Sequence, residues 1–363
     1  MSDDSNDFNR RFLAIQQAGE RLALALLFEE SLSFHETDPE RALLLITRGR
    51  DKARRMGETW WELYYESWRL TAISSLIMDF TRGLPMAIEI MVRFQTPEGR
   101  AHSEWLHVLG NTLYTYTNID PFGYRDELER GFAHMDGEIP EGPSGDRSVL
   151  HHRWIAYLSA AERWDEAYAL AIRSVGMAMQ LTSPEQKNWH GSWALYLLCR
   201  ICAALGRIDE IAGHAAQMAE LSDRRANLRR IRADARFWLA VARRAAGDER
   251  DASAEFQRGM PMLDGLERRD SICAHPIARY YELAGDLRAA VGVRDRELGE
   301  IDRKGQIHRA CEVHLERCRL LALLGELTPN DLDAARQSAA RLREPGRFLD
   351  RIERIGTRTG PST

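Results

Sequence analysis

No apolar run in this 363-residue sequence is long enough to cross a bilayer. Stretches such as Ala194 to Leu198 are interrupted by Cys, Arg or Gly far short of the ~20 residues a spanning helix needs. The acidic start, Met-Ser-Asp-Asp-Ser-Asn-Asp, has no apolar segment of the secretory kind. Cysteine is scarce: five residues, an odd number, with Cys199 and Cys202 inside an apolar helical stretch. That usage argues for reduced thiols in the cytoplasm and against a disulfide framework. The net charge of −5 gives no global field that would recruit nucleic acid or an anionic membrane. Gly-rich phosphate loops, HExxH and GxSxG are missing, so no cofactor or resident metal is expected and no catalytic signature stands out. Sustained period-two alternation is missing as well, which leaves no strand to expect.

What is present is a repeat, legible from its turns. A helix ends in small or apolar residues, then comes Gly with a polar neighbour, and a small or aliphatic residue follows about five positions later. The phrase occurs at Leu205-Gly206-Arg207, Ala246-Gly247-Asp248 and Ala284-Gly285-Asp286, with weaker copies at Glu162 to Asp165 and at Arg82-Gly83. Gly supplies the left-handed residue that stops the first helix, and a small residue on the second lets two helix axes approach. The anchors are Ala42, Ile88, Leu128, Ala167, Ile211, Ala252, Ala290 and Ala334, spaced 38 to 46 residues apart. A second punctuation places a capping side chain before Pro, at Asp38-Pro39, Thr96-Pro97, Asp120-Pro121, Ser183-Pro184 and Thr328-Pro329, and reads as helix starts.

These turns and anchors resemble the tetratricopeptide repeat over most of residues 37 to 345, in a variety longer than the ~34 residues of the familiar unit. This looks like the long-repeat relatives found in sensor and scaffold segments of bacterial signalling proteins. The resemblance implies an all-α protein, a right-handed superhelical solenoid of about eight antiparallel helix hairpins. Residues 1–7 and 356–363 are expected to be disordered. Hairpins are expected over 8–137 and 148–355, and the Gly/Pro-dense segment around 138–147 reads as an irregular loop or hinge.

Two surfaces are candidates for binding a partner. Between Asp223 and Gly247, eight arginines against two aspartates leave a local charge of +6, and Arg225, Arg229, Arg232, Arg236 and Arg243 share one narrow helical stripe. Leu228, Ile231, Ala235, Leu239 and Ala242 form the apolar face beside it. Forked guanidinium donors suit carboxylates, so the stripe points to an acidic peptide segment; the bland alternative is a solvated face neutralised by neighbouring helices. The second surface is aromatic: Trp61, Tyr64 and Trp68 lie on one helix face with Tyr65 beside them, as hot-spot residues or as ordinary filling between hairpins.

Metal-like spacings read as core. His308, Cys311, His314 and Cys318 run along one helix among buried positions, and a single straight helix closes a tetrahedral shell poorly. Cys199 and Cys202 have redox spacing without a βαβ setting. The leading function is therefore a non-catalytic scaffold or sensor that captures a protein or peptide segment. The alternatives are an enzyme on a closed α/α toroid acting on carbohydrate, which needs two inward carboxylates, and a nucleic-acid-binding regulator using the Arg-rich helix. The negative net charge and the lack of aromatics interleaved with those arginines argue against the latter.

Overall fold

The computed structural model describes residues 4–35, 37–224, 228–266, 271 and 273–358, and no strand occurs among them. The helices are α1 (Asp4–Leu32), α2 (Pro39–Met56), α3 (Thr59–Thr71), α4 (Phe80–Phe94), the single turn α5 (Pro97–Arg100) and α6 (Trp105–Ile119). They continue with α7 (Arg125–Glu138), α8 (Gly145–Ala160), α9 (Trp164–Met179), α10 (Pro184–Ala204), α11 (Ile208–Asp223), α12 (Arg229–Ala245) and α13 (Glu249–Gly259). The last are α14 (Ala274–Leu283), α15 (Leu287–Ile301), α16 (Ile307–Leu324), α17 (Pro329–Ala339) and α18 (Gly346–Arg358). None is long and apolar enough to cross a membrane. Helix reaches Asp4 at one end and Arg358 at the other, inside both segments expected to be disordered. The Gly/Pro-dense segment is shorter than it reads, since α7 runs to Glu138 and α8 starts at Gly145.

Contacts divide the chain into two compact units, Met1–Met78 with Pro85–Asn111, and Asp79–Leu84 with Thr112–Thr363. The first unit packs around Leu24, Ile46, Ala53, Tyr65, Ala72 and Ile73. Its α2 is capped by Asp38, whose side chain accepts from the Arg41 N–H, with Pro39 at the first helical position and Gly57 in the left-handed region at the end. Tyr65 is fully buried, and its hydroxyl donates to the Leu24 carbonyl at 2.6 Å. At the end of α3, Thr71 Oγ1 donates back to the Ser67 carbonyl (3.0 Å) and Ser74 Oγ to that of Leu70 (2.7 Å). Such back-bonding loosens a helix, and here α3 widens into a π-helical segment, Ala72–Ile77, that ends at Met78 with φ 54°.

The second unit is built of hairpins in register: α8 pairs with α9, α10 with α11, α12 with α13, α14 with α15 and α16 with α17, while α8, α10, α12 and α14 also pack side by side. Ala167, Ile211, Ala252 and Ala290, one per second helix, are completely buried, as is Leu128 on α7. Two anchors are off by one residue. Ala87 is buried while Ile88 is 52% exposed, and on the last hairpin the buried position is Ala335 rather than Ala334.

The turns explain why this register holds. Gly206, Gly247 and Gly285 sit at φ 74°, 82° and 77°, where glycine alone is unstrained. At the weak copy Glu162 itself takes φ 56°. Gly83 instead lies within α4 and starts no hairpin. Ser183 and Thr328 cap α10 and α16's successor α17 as their Pro-containing phrases imply, Thr328 in a full capping box with Asp331. Asp120 does not open a helix. It is a buried staple: its Oδ1 accepts from the Phe122 and Gly123 N–H groups (3.2 and 2.9 Å) and its Oδ2 from the Arg343 N–H (2.6 Å).

That last contact belongs to a larger one, which returns the end of this unit to its beginning. Phe122 packs in one cluster with Cys311, Leu315, Cys318, Ala335, Phe348 and Ile352. The Arg343 guanidinium lies 3.9 Å above the Tyr124 ring and that of Arg347 4.9 Å above Phe122. Arg347 and Arg351 both donate to the carboxylate of Glu162, the turn between α8 and α9. A nearest-neighbour solenoid leaves its terminal repeats apart; in this unit they touch.

Candidate functional site

Closure turns the first helices of the hairpins inward, and the side chains they present there are charged and aromatic. On α8 the Arg153 guanidinium lies 4.1 Å above the Tyr114 ring, and burial holds its pKa below the ordinary arginine value. Arg230 of α12 lies 4.5 Å above Trp193 of α10. Arg200 of α10 donates to the Tyr196 hydroxyl at 3.4 Å and is close enough to Arg309 and Glu312 of α16 to feel their charges. Helices three hairpins apart therefore face one another across the interior.

Four arginines converge on His275 at the start of α14: Arg294, Arg200, Arg309 and Arg279, contributed by α15, α10, α16 and α14. Burial first, and then these cations, hold the imidazole neutral well below its ordinary range. Arg294 and Glu297 form a buried pair at 2.7 Å, and Arg309 grips the other Glu297 oxygen through two donors at 3.0 and 2.7 Å. Arg279 donates to Glu282 (2.7 Å), and Arg319 bridges Glu282 (2.8 Å) to Glu316 (2.7 Å). Ala203, Ala204, His275, Arg279, Glu282, Arg294, Glu316 and Arg319 line a cavity of about 230 Å³. Five arginines (200, 279, 294, 309, 319) against four glutamates (282, 297, 312, 316) leave one positive charge in excess. The small side chains of Ala203 and Ala204 leave the room that a larger residue on α10 would fill.

Beside this cavity lies Asp234, only 2% exposed and with no hydrogen bond to its Oδ2. Burial pushes its carboxyl up to about 7, against the Arg200 guanidinium and the facing Cys273 thiol and Trp238 indole N–H. Trp238 is fully buried, 5.5 Å from the His275 ring. The same burial raises the thiols of Cys199 and Cys273 well above their usual range, so neither is a nucleophile.

The arginine stripe of α12 is distributed differently. Arg225 lies outside the described residues. Arg229 donates to the carbonyls of Pro261 (3.2 Å) and Asp264 (2.6 Å). Arg236 pairs with Glu255 at 3.2 Å and Asp223 at 3.7 Å, and Arg243 with Asp248 at 3.7 Å. Arg232 is half-buried and also engaged. Arg229, Arg236 and Arg243 thus serve their own and adjoining turns and helices, whereas Arg230, one position off the stripe, stacks on Trp193. Leu228, Ile231, Ala235 and Ala242 are buried beside them.

The aromatic helix α3 belongs to the first unit. Trp61 and Trp68 pack on its core; Tyr64 sits edge-on to Phe28 at 5.1 Å and is stacked on Trp60 at 5.3 Å. Trp60, not one of the expected three, is the exposed ring, and it lies 5.0 Å from His102. Nearby, Glu104 accepts from Ser67 Oγ (3.0 Å) and pairs with His107 Nδ1 (2.8 Å), whose Nε2 stands 3.5 Å from Thr71 Oγ1. The order carboxylate, imidazole, hydroxyl has the form of a hydrolytic triad. However, Thr71 is buried and its hydroxyl already donates to Ser67 and accepts from Asn111 Nδ2 (2.9 Å), which makes the group a clamp between α3 and α6. Of the residues with metal-like spacing that read as core, His308, Cys311 and Cys318 are buried, with Cys311 3.5 Å from Ser338 Oγ and Cys318 3.6 Å from the Asp331 carbonyl.

No protein-family model matches this chain, and none of the curated proteins does. Among solved structures it is similar to a Rap protein crystallised in complex with competence and sporulation factor. The TM-score is 0.51 at 13% identity, over 93% of this chain and 98% of that one. With the hairpin order above, this defines the class: the chain is a helical-repeat protein with the tetratricopeptide-like fold.

Proposed function

We propose that the second unit is a non-catalytic receptor that takes up a protein or peptide segment carrying a carboxylate along the inward faces of α10, α14, α15 and α16. The observation that carries this reading is the cavity between Ala203–Ala204 and the Arg279, Arg294 and Arg319 guanidinium groups. Guanidinium forks match carboxylates in geometry and charge, and the glutamates alternating with them match a peptide's N–H groups. Those same glutamates repel phosphate, which favours a polypeptide over nucleic acid. The Rap protein of similar fold, solved in complex with competence and sporulation factor, is in keeping with capture of a partner. Five free, buried cysteines support a reducing, cytoplasmic setting.

Fluorescence anisotropy with labelled short acidic peptides tests the reading. Arg279→Glu and Arg319→Glu are each expected to weaken binding roughly tenfold or more, the scale of one charge-assisted hydrogen bond. Arg229→Glu, on the outer stripe, is expected to leave it nearly unchanged. The reverse ranking would move the site to the stripe, and equal, small effects would remove it from both.

A further inference from the structure

A different cluster lies at the turn between α10 and α11. Cys202 is in the last turn of α10, Glu210 in the first turn of α11 and His214 one turn further on. The left-handed Gly206 folds the chain so that these three meet. One ligand atom from each lies within 4.8 Å of the other two. Glu210 Oε2 stands between the others, 4.0 Å from Cys202 Sγ and 4.0 Å from His214 Nε2. The imidazole Nε2 is buried and makes no hydrogen bond, so it is a buried polar atom with no partner of its own.

From this convergence we propose that Cys202, Glu210 and His214 form a binding site for a divalent transition metal of the zinc class, with water completing four-coordination. Thiolate, imidazole and carboxylate are the donor types zinc takes, and a three-ligand set with one open position is a geometry it adopts. Bond lengths of about 2.0 to 2.3 Å place donors roughly 3.3 to 3.8 Å apart. Rotation of the Glu210 and His214 side chains, neither fully buried, supplies the contraction. An outer shell is already in place: Tyr168 donates its hydroxyl to Glu210 Oε2 at 2.7 Å, a bond that can follow the carboxylate as it turns. Arg207 lies 3.6 Å from the other Glu210 oxygen and 4.3 Å above the Tyr168 ring, and so balances charge on the side away from the metal.

The step balances simply. The Cys202 S–H bond breaks as the metal–sulfur bond forms and the proton passes to solvent, while Glu210 and neutral His214 donate lone pairs without proton exchange. Burial holds the free thiol up at about 11 and His214 below its ordinary value. Loss of one proton on binding makes the apparent affinity rise about tenfold per pH unit around neutrality.

The experiment is a cobalt(II) titration of the full chain after chelator treatment, read by the near-ultraviolet thiolate-to-cobalt charge-transfer band and followed by zinc competition. One equivalent of cobalt is expected to produce the band, and zinc to abolish it. The band should be lost in Cys202→Ser, unchanged in Cys199→Ser, and shifted to at least tenfold higher cobalt in His214→Gln. Tyr168→Phe should weaken binding by up to about tenfold, as loss of an outer-shell partner does. Absence of the band in the native chain, its persistence in Cys202→Ser, or unaltered affinity in His214→Gln each overturns the assignment. His214 is only partly buried, so its variant decides the matter even if Cys202→Ser does not fold.

Discussion

Asp234 makes a prediction whose sign and size follow from its surroundings. The carboxyl is buried between α10 and the start of α14, with Tyr196, Cys199 and Arg200 facing it from the first, Cys273 from the second and Trp238 on its own helix. Its pKa rises from 3.8 to about 7. A folded-state pKa above the unfolded one means that the native chain binds the proton more tightly. Stability from this group is therefore fully present below about pH 4, falls as pH rises toward 7 and is level beyond. At 1.36 kcal/mol per pH unit, the loss across that window is on the order of 4 kcal/mol. Asn at this position occupies the same volume and does not titrate. Urea unfolding followed by tryptophan fluorescence between pH 4 and 8 should show native stability declining with pH and Asp234→Asn nearly flat. The two curves should lie close together at pH 4 and diverge steadily in favour of the variant up to pH 7.5. Parallel slopes in the two proteins would refute the reasoning, because the buried carboxyl would then not be the titrating group.

Three further outcomes rest on separate features. Glu66 has only 3% of its side chain exposed and lies between Arg69 (2.6 Å), Arg93 (3.3 Å), Arg50 (3.5 Å) and Arg54 (3.8 Å). Glu66→Ala leaves those cations without their shared anion and should cost about 3 to 5 kcal/mol in chemical denaturation, whereas Glu62→Ala, at the rim of the same cluster, should cost about 1 kcal/mol or less. Gly49→Ala would place a Cβ 2.1 Å from the Tyr65 ring, which its hydroxyl bond to Leu24 prevents from moving. The helix-propensity gain of ~1 kcal/mol is outweighed, and thermal scans should show a net loss of about 1 to 3 kcal/mol. Asp120→Ala leaves the buried N–H of Phe122 and the part-buried N–H groups of Gly123 and Arg343 without their acceptor. It should destabilise the second unit by roughly 3 kcal/mol or more and speed amide exchange in α18.

Much of the fold is legible in the residues because the turns are local. Gly206, Gly247 and Gly285 need only their own backbone to declare a helix end, and Ser183 or Thr328 needs only the next three residues. The misplaced anchors, Ile88 for Ala87 and Ala334 for Ala335, fail by one position because adjacent small and aliphatic residues both satisfy a turn-based count. Only the packing of a neighbouring helix decides between them. The inward arginines are harder to see: Arg200, Arg279, Arg294, Arg309 and Arg319 come from four helices spread over 119 residues, and no local window contains more than two of their glutamate partners. The α12 stripe stands out by its density along one helix, although density on one face says nothing about what stands opposite. Glu162 gave no sign that it receives Arg347 and Arg351, since a contact spanning 185 residues leaves no periodic trace. The Cys202 cluster is concealed for a related reason, as its donors straddle a turn and mix three residue types while the nearby Cys199 offers a more familiar spacing.

The return of α18 to Glu162 and Asp120 has a kinetic consequence. An open row of hairpins exchanges a bound segment by letting it peel away sideways, so dwell time follows the strength of the contacts. With the last helix fastened to the turn between α8 and α9, a segment held as proposed would lose that sideways exit. It would depart either by sliding lengthwise or after the fastening comes undone, and the faster of those two routes would become its clock. Weakening the Arg347 and Arg351 contacts would then hasten release without altering a single group that touches the guest.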